Sequence, residues 1–210
     1  RAAAARPSAH CADEDRLSVP RISVTKLAAS ARLLQRWDPA LQIGSKRRTE
    51  MKAIQIKEYV KSPTELKVTE LPDPVPESDE YLIEIRAAAT NFFDVLQIAG
   101  KYQSQPPFPW IAGVEFAGVV ISTPRGSKNP RFPRGCRVFG ASQGAYATKC
   151  TAKEVSMLPV PDGWSFTEAA GLFITAPTSY GALVVRAHVK KGDYVLVHAA
   201  AGGVGLAAVQ

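Results

Sequence analysis

The sequence has few residues that bind metals or form disulfides. It contains 3 cysteines and 3 histidines among 210 residues, and Cys11, Cys136 and Cys150 are widely and irregularly spaced. A disulfide framework needs a dense, even set of cysteines, and a structural zinc site needs closely spaced ligand pairs. The spacing excludes both and is typical of a protein from a reducing compartment.

Long apolar runs are also missing. The two most apolar stretches cover residues 169–185 and 195–209, and polar residues, proline or glycine interrupt both of them. Because a membrane-spanning helix needs about 20 consecutive, mostly apolar residues, neither stretch predicts a membrane span.

The basic excess is concentrated in the first quarter of the sequence. The formal net charge is +7, yet residues 51–210 hold 16 basic and 14 acidic side chains. A nucleic-acid interface needs Lys and Arg clustered on the folded part of a protein. We therefore predict no nucleic-acid partner.

Residues 1–50 form a basic leader that is rich in Ala, Arg and Ser and has no strand alternation. This composition is typical of a mitochondrial transit peptide, but the acidic run Asp13–Asp15 is not. The alternative is a disordered extension, or translated upstream sequence, ahead of a start at Met51. We predict a cytoplasmic protein, or a mitochondrial one if residues 1–50 act as a transit peptide.

Residues 51–173 are predicted to form a β-rich domain, since short alternating segments are separated by glycine and proline turns. One helix, Asn91–Ala99, is expected to bury Phe92, Val95, Leu96 and Ala99 and to end at Gly100. A proline-rich loop follows at Gln105–Trp110. The predicted strands are Met51–Ile56, Leu66–Leu71, Tyr81–Ala89, Gly113–Ile121 (broken by Gly118), Gly135–Phe139 and Gly144–Thr151.

The pattern becomes helical near Ser165. Ser165 and Glu168 form a capping box that opens a helix through Phe173, and residues 175–188 continue helically. Asp193–Ala199 is predicted to be a buried parallel strand. A further helix is predicted over Leu206–Gln210.

A glycine-rich loop lies between that strand and that helix. In the spacing G-x-G-x-x-G, Ala200 takes the first position, Gly202 the second and Gly205 the third, with Gly203 and Val204 between them. The loop alone fits a tight structural turn equally well, but the strand before it favours a dinucleotide site, in which the helix start receives the pyrophosphate. The residue that reads the ribose lies roughly 20 residues farther on, beyond this sequence.

The order of these motifs resembles the medium-chain dehydrogenase/reductase superfamily, specifically its zinc-free, zeta-crystallin-like quinone oxidoreductase branch. The resemblance covers residues 51–210. It implies an α+β fold leading into α/β: a GroES-like, partly open β-barrel catalytic domain over 51–173, then the first strand and helix start of a Rossmann domain over 174–210. The motifs that carry it are Met51–Ala53, Ala89–Asp94, Gly100–Tyr102, Gly113–Val120, Ala169–Ala170 and Thr175–Thr178.

The sequence departs from the zinc-dependent members of that superfamily. They carry a catalytic Cys near Asn91 and a His where Val114 stands, and neither ligand is present here. The resemblance therefore implies chemistry without a metal, and Glu115 is predicted to be a buried, hydrogen-bonded structural carboxylate.

The implied reaction is hydride transfer from NADPH, with NADH as the alternative cofactor, to a quinone. The resemblance places Asn91 and Tyr102 beside the nicotinamide and the acceptor, with Tyr102 as a general acid unless water supplies the proton. Thr175 and Thr178 are expected to touch the cofactor near the domain junction. Asp94 is open between a cleft role and a structural one.

Three functional alternatives stay open: a quinone reductase, an enoyl or alkenal reductase of the same superfamily, and a non-catalytic nucleotide-binding or crystallin-like structural protein. His188 and His198 are interpreted as packing or hydrogen-bonding residues. Both ends of the sequence are expected to be cut, so we expect a homodimer only of a longer parent protein and an inactive 210-residue fragment.

Overall fold

A computed structural model describes residues 50–210. The predicted leader, with Cys11, lies outside the described residues except for Glu50. Glu50 is the first residue of the first strand, so that strand includes one residue of the predicted leader. Within the described part, no helix is both long and apolar enough to cross a membrane.

The described residues form a β-rich unit followed by short helices. The strands are β1 Glu50–Ile56, β2 Val68–Pro72, β3 Glu80–Ala89, β4 Trp110–Ile111, β5 Glu115–Ser122, β6 Arg137–Ala141, β7 Lys149–Lys153 and β8 Met157–Pro159. The α-helices are α1 Phe92–Ile98, α2 Phe166–Ala170, α3 Thr175–Tyr180 and α4 Gly203–Val209. Two 3₁₀ turns lie at Pro63–Glu65 and Glu154–Ser156, and a π-helical segment lies at Gly181–Arg186.

The strands form two antiparallel sheets. Their orders are β2-β1-β4 and β7-β3-β5-β6-β8. The segment before β7 joins them, because Ala53 bridges to Ala147 and the Ile54 amide donates to the Tyr146 carbonyl at 2.9 Å. The two sheets thus form the partly open barrel that the sequence predicts.

The barrel core is built from alternate residues of the central strands. Tyr81, Ile83, Phe116 and Val138 are fully buried within one cluster, as the period of two along a strand requires. A second cluster places α2 against the other face of the same sheet through Ala117, Phe139, Ala169 and Ala170.

Gly118 lies inside β5 and does not break it, which corrects the prediction. A Cβ atom at Gly118 would lie 2.2 Å from the Glu84 carbonyl oxygen. The ladder between β3 and β5 shifts register between Ile85 and Ala87. The glycine is therefore present because β3 passes very close to β5 at this point.

The shortest strands were not predicted. β4 is two residues long and β8 three, too short to show alternation. Trp110 was predicted to end a loop, but it is 6% exposed and pairs with Ile56 across the β1–β4 ladder.

Helix α1 has the predicted position but the opposite buried face. Phe92 is 79% exposed and Val95 44%, whereas Asp94, Gln97 and Ile98 are buried. The apolar stripe did not predict the buried face, because Asp94 and Gln97 make hydrogen bonds inside the fold that the sequence pattern does not show. The Gln97 amide, for example, donates to Gln143 at 3.4 Å.

The capping box at Ser165 and Glu168 is confirmed, since each residue's amide donates to the other's side chain. The helix that it opens ends at Ala170 rather than at the predicted Phe173. The helical segment predicted from residue 175 is present as α3 and the π-helical turns that follow it.

The predicted buried strand at residues 193–199 is wrong. The segment has no strand assignment, and Tyr194 and Leu196 are 104% and 81% exposed. A parallel strand is stable only when neighbouring strands satisfy its backbone and helices cover its faces. None of the strands in residues 50–210 pairs with this segment.

Candidate active site

Glu115 lies at the centre of a buried polar network. It is the first residue of β5 and is 0% exposed. Its Oε2 accepts a hydrogen bond from Asn91 Nδ2 at 2.9 Å, and its Oε1 accepts one from the Ile174 amide at 2.8 Å. The prediction of a buried, hydrogen-bonded carboxylate is confirmed.

Asn91 is the residue that caps helix α1 with its backbone. Its amide donates to Asp94 Oδ2 at 2.7 Å. Its side chain takes part in a capping box with Asp94 without a full hydrogen bond to the helix, and its Nδ2 reaches across to Glu115. An amide oxygen has two lone pairs, so Asn91 Oδ1 keeps acceptor capacity beside the capping box.

Asp94 is buried beneath the start of α1, at 5% exposure. Its Oδ2 also accepts from the Tyr146 hydroxyl at 2.7 Å, while its buried Oδ1 has no partner among the described residues. Burial raises the pKa of Asp94, although hydrogen bonds from Tyr146 and Asn91 act the other way. This geometry favours the structural reading of Asp94.

Sequence reasoning missed Tyr146. Burial, and then the hydrogen bond to Asp94, raise the pKa of its hydroxyl, which therefore stays protonated as a donor at neutral pH. A related feature is Gly113, which is distant from Tyr146 in sequence and has a φ of +80°. A Cβ there would lie 2.3 Å from the Tyr146 ring, so the glycine makes room for this tyrosine.

Tyr102 lies next to α1. Its ring packs on Phe93, with centroids 5.4 Å apart and planes tilted by 35°. Its hydroxyl has no hydrogen-bond partner in the part of the chain that is described. Tyr102 thus carries an unengaged phenol next to the helix that Asn91 begins.

The glycine loop leads directly into helix α4, with Gly202 as the N-cap. The helix starts at Gly203, three residues before the prediction. A Cβ at Gly205 would lie 2.3 Å from the Ala199 carbonyl oxygen, whereas one at Gly202 would meet only that oxygen, at 3.4 Å. Gly205 is required for packing, and the space around Gly202 is open.

The start of α4 has amides that are free to bind an anion. Those of Gly203, Val204 and Gly205 pair with no carbonyl of the described residues, as expected for a first helical turn. Free amides and an open glycine are the features that suit a dinucleotide pyrophosphate, so the loop fits the predicted cofactor.

The predicted threonines differ in their surroundings. A Cβ at Gly203 would lie 2.8 Å from Thr175 Cγ2, which places the Thr175 methyl group against the glycine loop. Thr178 is exposed, and its hydroxyl donates to the Ile174 carbonyl at 2.6 Å. The structure therefore brings Thr175 to the loop but not Thr178.

Ser179 is a second residue that sequence reasoning missed. It is 3% exposed, and its hydroxyl lies 2.6 Å from the Val204 carbonyl oxygen. It holds α4 against α3. No motif marks it, because its partner lies 25 residues away.

A continuous chain of contacts results. Asn91 binds Glu115, Glu115 binds the Ile174 amide, and the next residue, Thr175, packs on Gly203. The predicted acceptor side of the site and the predicted cofactor side are thus joined by one buried carboxylate.

The remaining polar candidate residues do not take part in this series of contacts. His188 and His198 are not buried, so the predicted burial of His198 with its strand is wrong. Cys136 and Cys150 are buried in the core, and burial raises the pKa of Cys150 to about 12. Among residues 50–210, no three His, Cys, Asp or Glu side chains converge as metal ligands would.

Comparison with known proteins identifies the family. Residues 77–174 match the alcohol dehydrogenase GroES-like domain. The chain is 35% identical to the quinone oxidoreductase of Pongo abelii over 163 residues, which is 76% of this chain and 49% of that protein. It is 43% identical over 128 residues, 61% of this chain, to the pikromycin polyketide synthase component PikAII of Streptomyces venezuelae, covering 3% of that protein.

A solved structure agrees. The quinone oxidoreductase from Thermus thermophilus, solved also in complex with NADPH, is 33% identical, with a TM-score of 0.64 over 75% of this chain and 48% of its own. The chain spans about half the length of the quinone oxidoreductases that it matches. With the GroES-like barrel, the part of a nucleotide-binding region and these relatives, the chain belongs to the medium-chain dehydrogenase/reductase superfamily, in its quinone oxidoreductase branch.

Proposed function

We propose that the protein transfers a hydride from NADPH to a quinone. The observation that carries this proposal is the contact chain from Asn91 through Glu115 to Thr175 and Gly203. It connects residues on both sides of the proposed domain boundary, 51–173 and 174–210. Such a series of contacts would hold a hydride donor and its acceptor at a fixed distance and orientation. Holding them so is the main contribution of a protein to this reaction.

The nicotinamide supplies the hydride when NADPH is bound. The chain's own residues bind and orient the cofactor: the open space at Gly202 admits the pyrophosphate, and the free amides of Gly203, Val204 and Gly205 donate to it. Thr175 packs against this loop and fixes its distance from the barrel. The NADPH complex of the Thermus thermophilus relative supports this choice of cofactor.

Asn91 and Tyr102 are proposed to act on the acceptor side. Asn91 offers Oδ1 as an acceptor and one remaining Nδ2 proton as a donor. The Tyr102 hydroxyl has no partner among the described residues, so it is available to donate to an oxygen atom that gains negative charge. The Thr178 hydroxyl already donates to the Ile174 carbonyl. We therefore propose only a peripheral contact between Thr178 and the cofactor.

An activated enone is a second candidate acceptor. The identity to a polyketide synthase component extends the relatives beyond proteins named for quinones. Hydride addition to a double bond conjugated with a carbonyl also places negative charge on an oxygen atom, which the same two side chains would stabilise.

The test uses the intact protein at the length that its gene encodes. We expect NADPH to quench its tryptophan fluorescence, and 1,4-benzoquinone to be reduced with NADPH consumption. Y102F should keep the fold and lower kcat, whereas N91A should lower kcat and also the stability, because it removes the donor to Glu115 Oε2. Faster turnover of 2-cyclohexenone than of the quinone would favour the enone, binding without turnover would favour a structural role, and no binding would refute the proposal.

A further inference from the structure

We propose that Glu115 is a positioning residue that fixes which face of the Asn91 amide group is presented to the acceptor. Its effect on turnover rests on the proposed function, whereas the pairing itself rests on geometry. The sequence predicted Glu115 only as a structural carboxylate. The proposal gives this residue a specific task in orienting Asn91.

The hydrogen-bond partners of Glu115 leave only one arrangement. Each of its two oxygens accepts from an N–H group, one on the Asn91 side chain and one on the Ile174 backbone. An ionised carboxylate is an acceptor only. If the Asn91 amide turned over, its Oδ1 would lie at hydrogen-bond distance from a carboxylate oxygen, with no proton between them. Nδ2 therefore faces Glu115, and Oδ1 faces away.

The Glu115 carboxylate is sealed from water, which makes this preference strong. Glu115 is 0% exposed, so water cannot replace either donor. An unpaired donor or acceptor at such a depth is costly. The carboxylate also reaches the residue immediately before α3, so the orientation of Asn91 is tied to the helix that packs on the glycine loop.

The substitution Glu115→Gln tests the idea without changing the size of the side chain. Glutamine has one acceptor and one donor end. The Ile174 backbone amide cannot turn over, so it keeps the acceptor, and the new NH₂ group faces Asn91. Asn91 must then turn its amide over, and it presents a donor where the wild type presents an acceptor.

A second substitution restores the original arrangement. In N91D/E115Q, one oxygen of the new carboxylate at position 91 accepts from the new NH₂ group at position 115, and the other oxygen faces away as an acceptor. N91D alone places two carboxylates against each other in a buried site and should be the least stable variant. We expect the double variant to melt above N91D, and E115Q to lower kcat/KM about tenfold or more, with part of that loss regained in the double variant.

The measurements are thermal unfolding, NADPH affinity and steady-state kinetics on the intact protein, with E168Q as control. Glu168 is an exposed carboxylate that also accepts from a helix-capping residue, and its loss should leave turnover unchanged. Wild-type kcat and KM in a folded E115Q, or a double variant no more stable than N91D, would overturn the inference. A wild-type protein that neither binds NADPH nor reduces an acceptor would refute the proposed function, and the order of melting temperatures would still decide the pairing.

Discussion

At the scale of single residues, the site depends on acidic side chains that are buried and have only donors as partners. Glu115 has two donors on two oxygens, and both oxygens are satisfied. Asp94 receives two donors on one oxygen and leaves the other bare. The burial of Asp94 therefore costs more than that of Glu115, because one of its oxygens has no partner among the described residues.

The pH dependence of stability should reveal this cost. The pKa of Asp94 is raised from an ordinary value of 3.8, so the stability that this group contributes is complete below that value and is lost as the pH rises through the raised pKa. An asparagine at this position cannot ionise and keeps an acceptor for Asn91 and Tyr146. D94N should thus raise the melting temperature at pH 8, and the gain should shrink at pH 4.

The control for this prediction is Asp79, whose pKa is shifted in the opposite direction. A hydrogen bond from Lys153 lowers the pKa of the exposed Asp79, so its small contribution is present at neutral pH and disappears on acidification. D79N should give no gain at pH 8. A melting temperature of D94N below that of the wild type at pH 8 would contradict the account of Asp94.

Gly113 provides a second test at this scale. Alanine there would be strained at a φ of +80°, and its Cβ would lie 2.3 Å from the Tyr146 ring. Tyr146 would have to move away from Asp94. G113A should lower the free energy of unfolding by roughly 2–4 kcal/mol, as measured by urea denaturation.

Gly163 is the matched control for G113A. Its φ is +79°, and a Cβ there would have no atom within 4 Å. G163A therefore carries the backbone strain alone, about 1 kcal/mol. Equal losses for the two variants would show that the Tyr146 contact contributes nothing.

At the scale of elements, the sequence predicts what local patterns determine. Strands with several alternating residues, such as β1 and β3, and the capping box of α2 could be placed because each pattern lies within one segment. β4 and the buried face of α1 could not, since they depend on partners far along the chain. The same distinction separates Gly202 and Asn91, found by motif, from Tyr146 and Ser179, found only in the structure.

Substitutions at the two outer glycines of the glycine loop should have different effects. A Cβ at Gly202 meets little, so G202A should keep the wild-type melting temperature while it obstructs the pyrophosphate and weakens NADPH binding about tenfold or more. A Cβ at Gly205 meets the Ala199 carbonyl at 2.3 Å, so G205A should displace α4 and lower the melting temperature. Circular dichroism and fluorescence titration separate the effects, and a G202A variant that binds NADPH normally would argue against the loop as its site.

At the scale of the whole molecule, the β-barrel and the helices after it differ in how well they are packed. Fully buried side chains such as Tyr81, Ile83 and Phe116 lie in the barrel. Apolar residues after α3 are largely exposed, among them Tyr194, Leu196 and Leu206. Exposed apolar surface of this extent usually marks a contact with other protein.

The 210-residue chain expressed alone should therefore be a poor enzyme. Because its apolar residues after α3 are largely exposed, we expect it to bind the dye ANS strongly and to show no NADPH-dependent reduction of 1,4-benzoquinone. Turnover by this chain comparable with that of the intact protein would show that residues 1–210 suffice.

The exposed apolar face of helix α1 should influence which acceptors bind. Because the buried face of the helix carries polar side chains, the apolar side chains of Phe92 and Val95 are exposed to solvent near Asn91. A flat, oily acceptor that settles there would release ordered water from this surface, and its binding should carry a negative change in heat capacity. Among acceptors of equal reduction potential, affinity should then rise with their partition from water into octanol. It should depend more on this partition than on the number of polar groups on the acceptor.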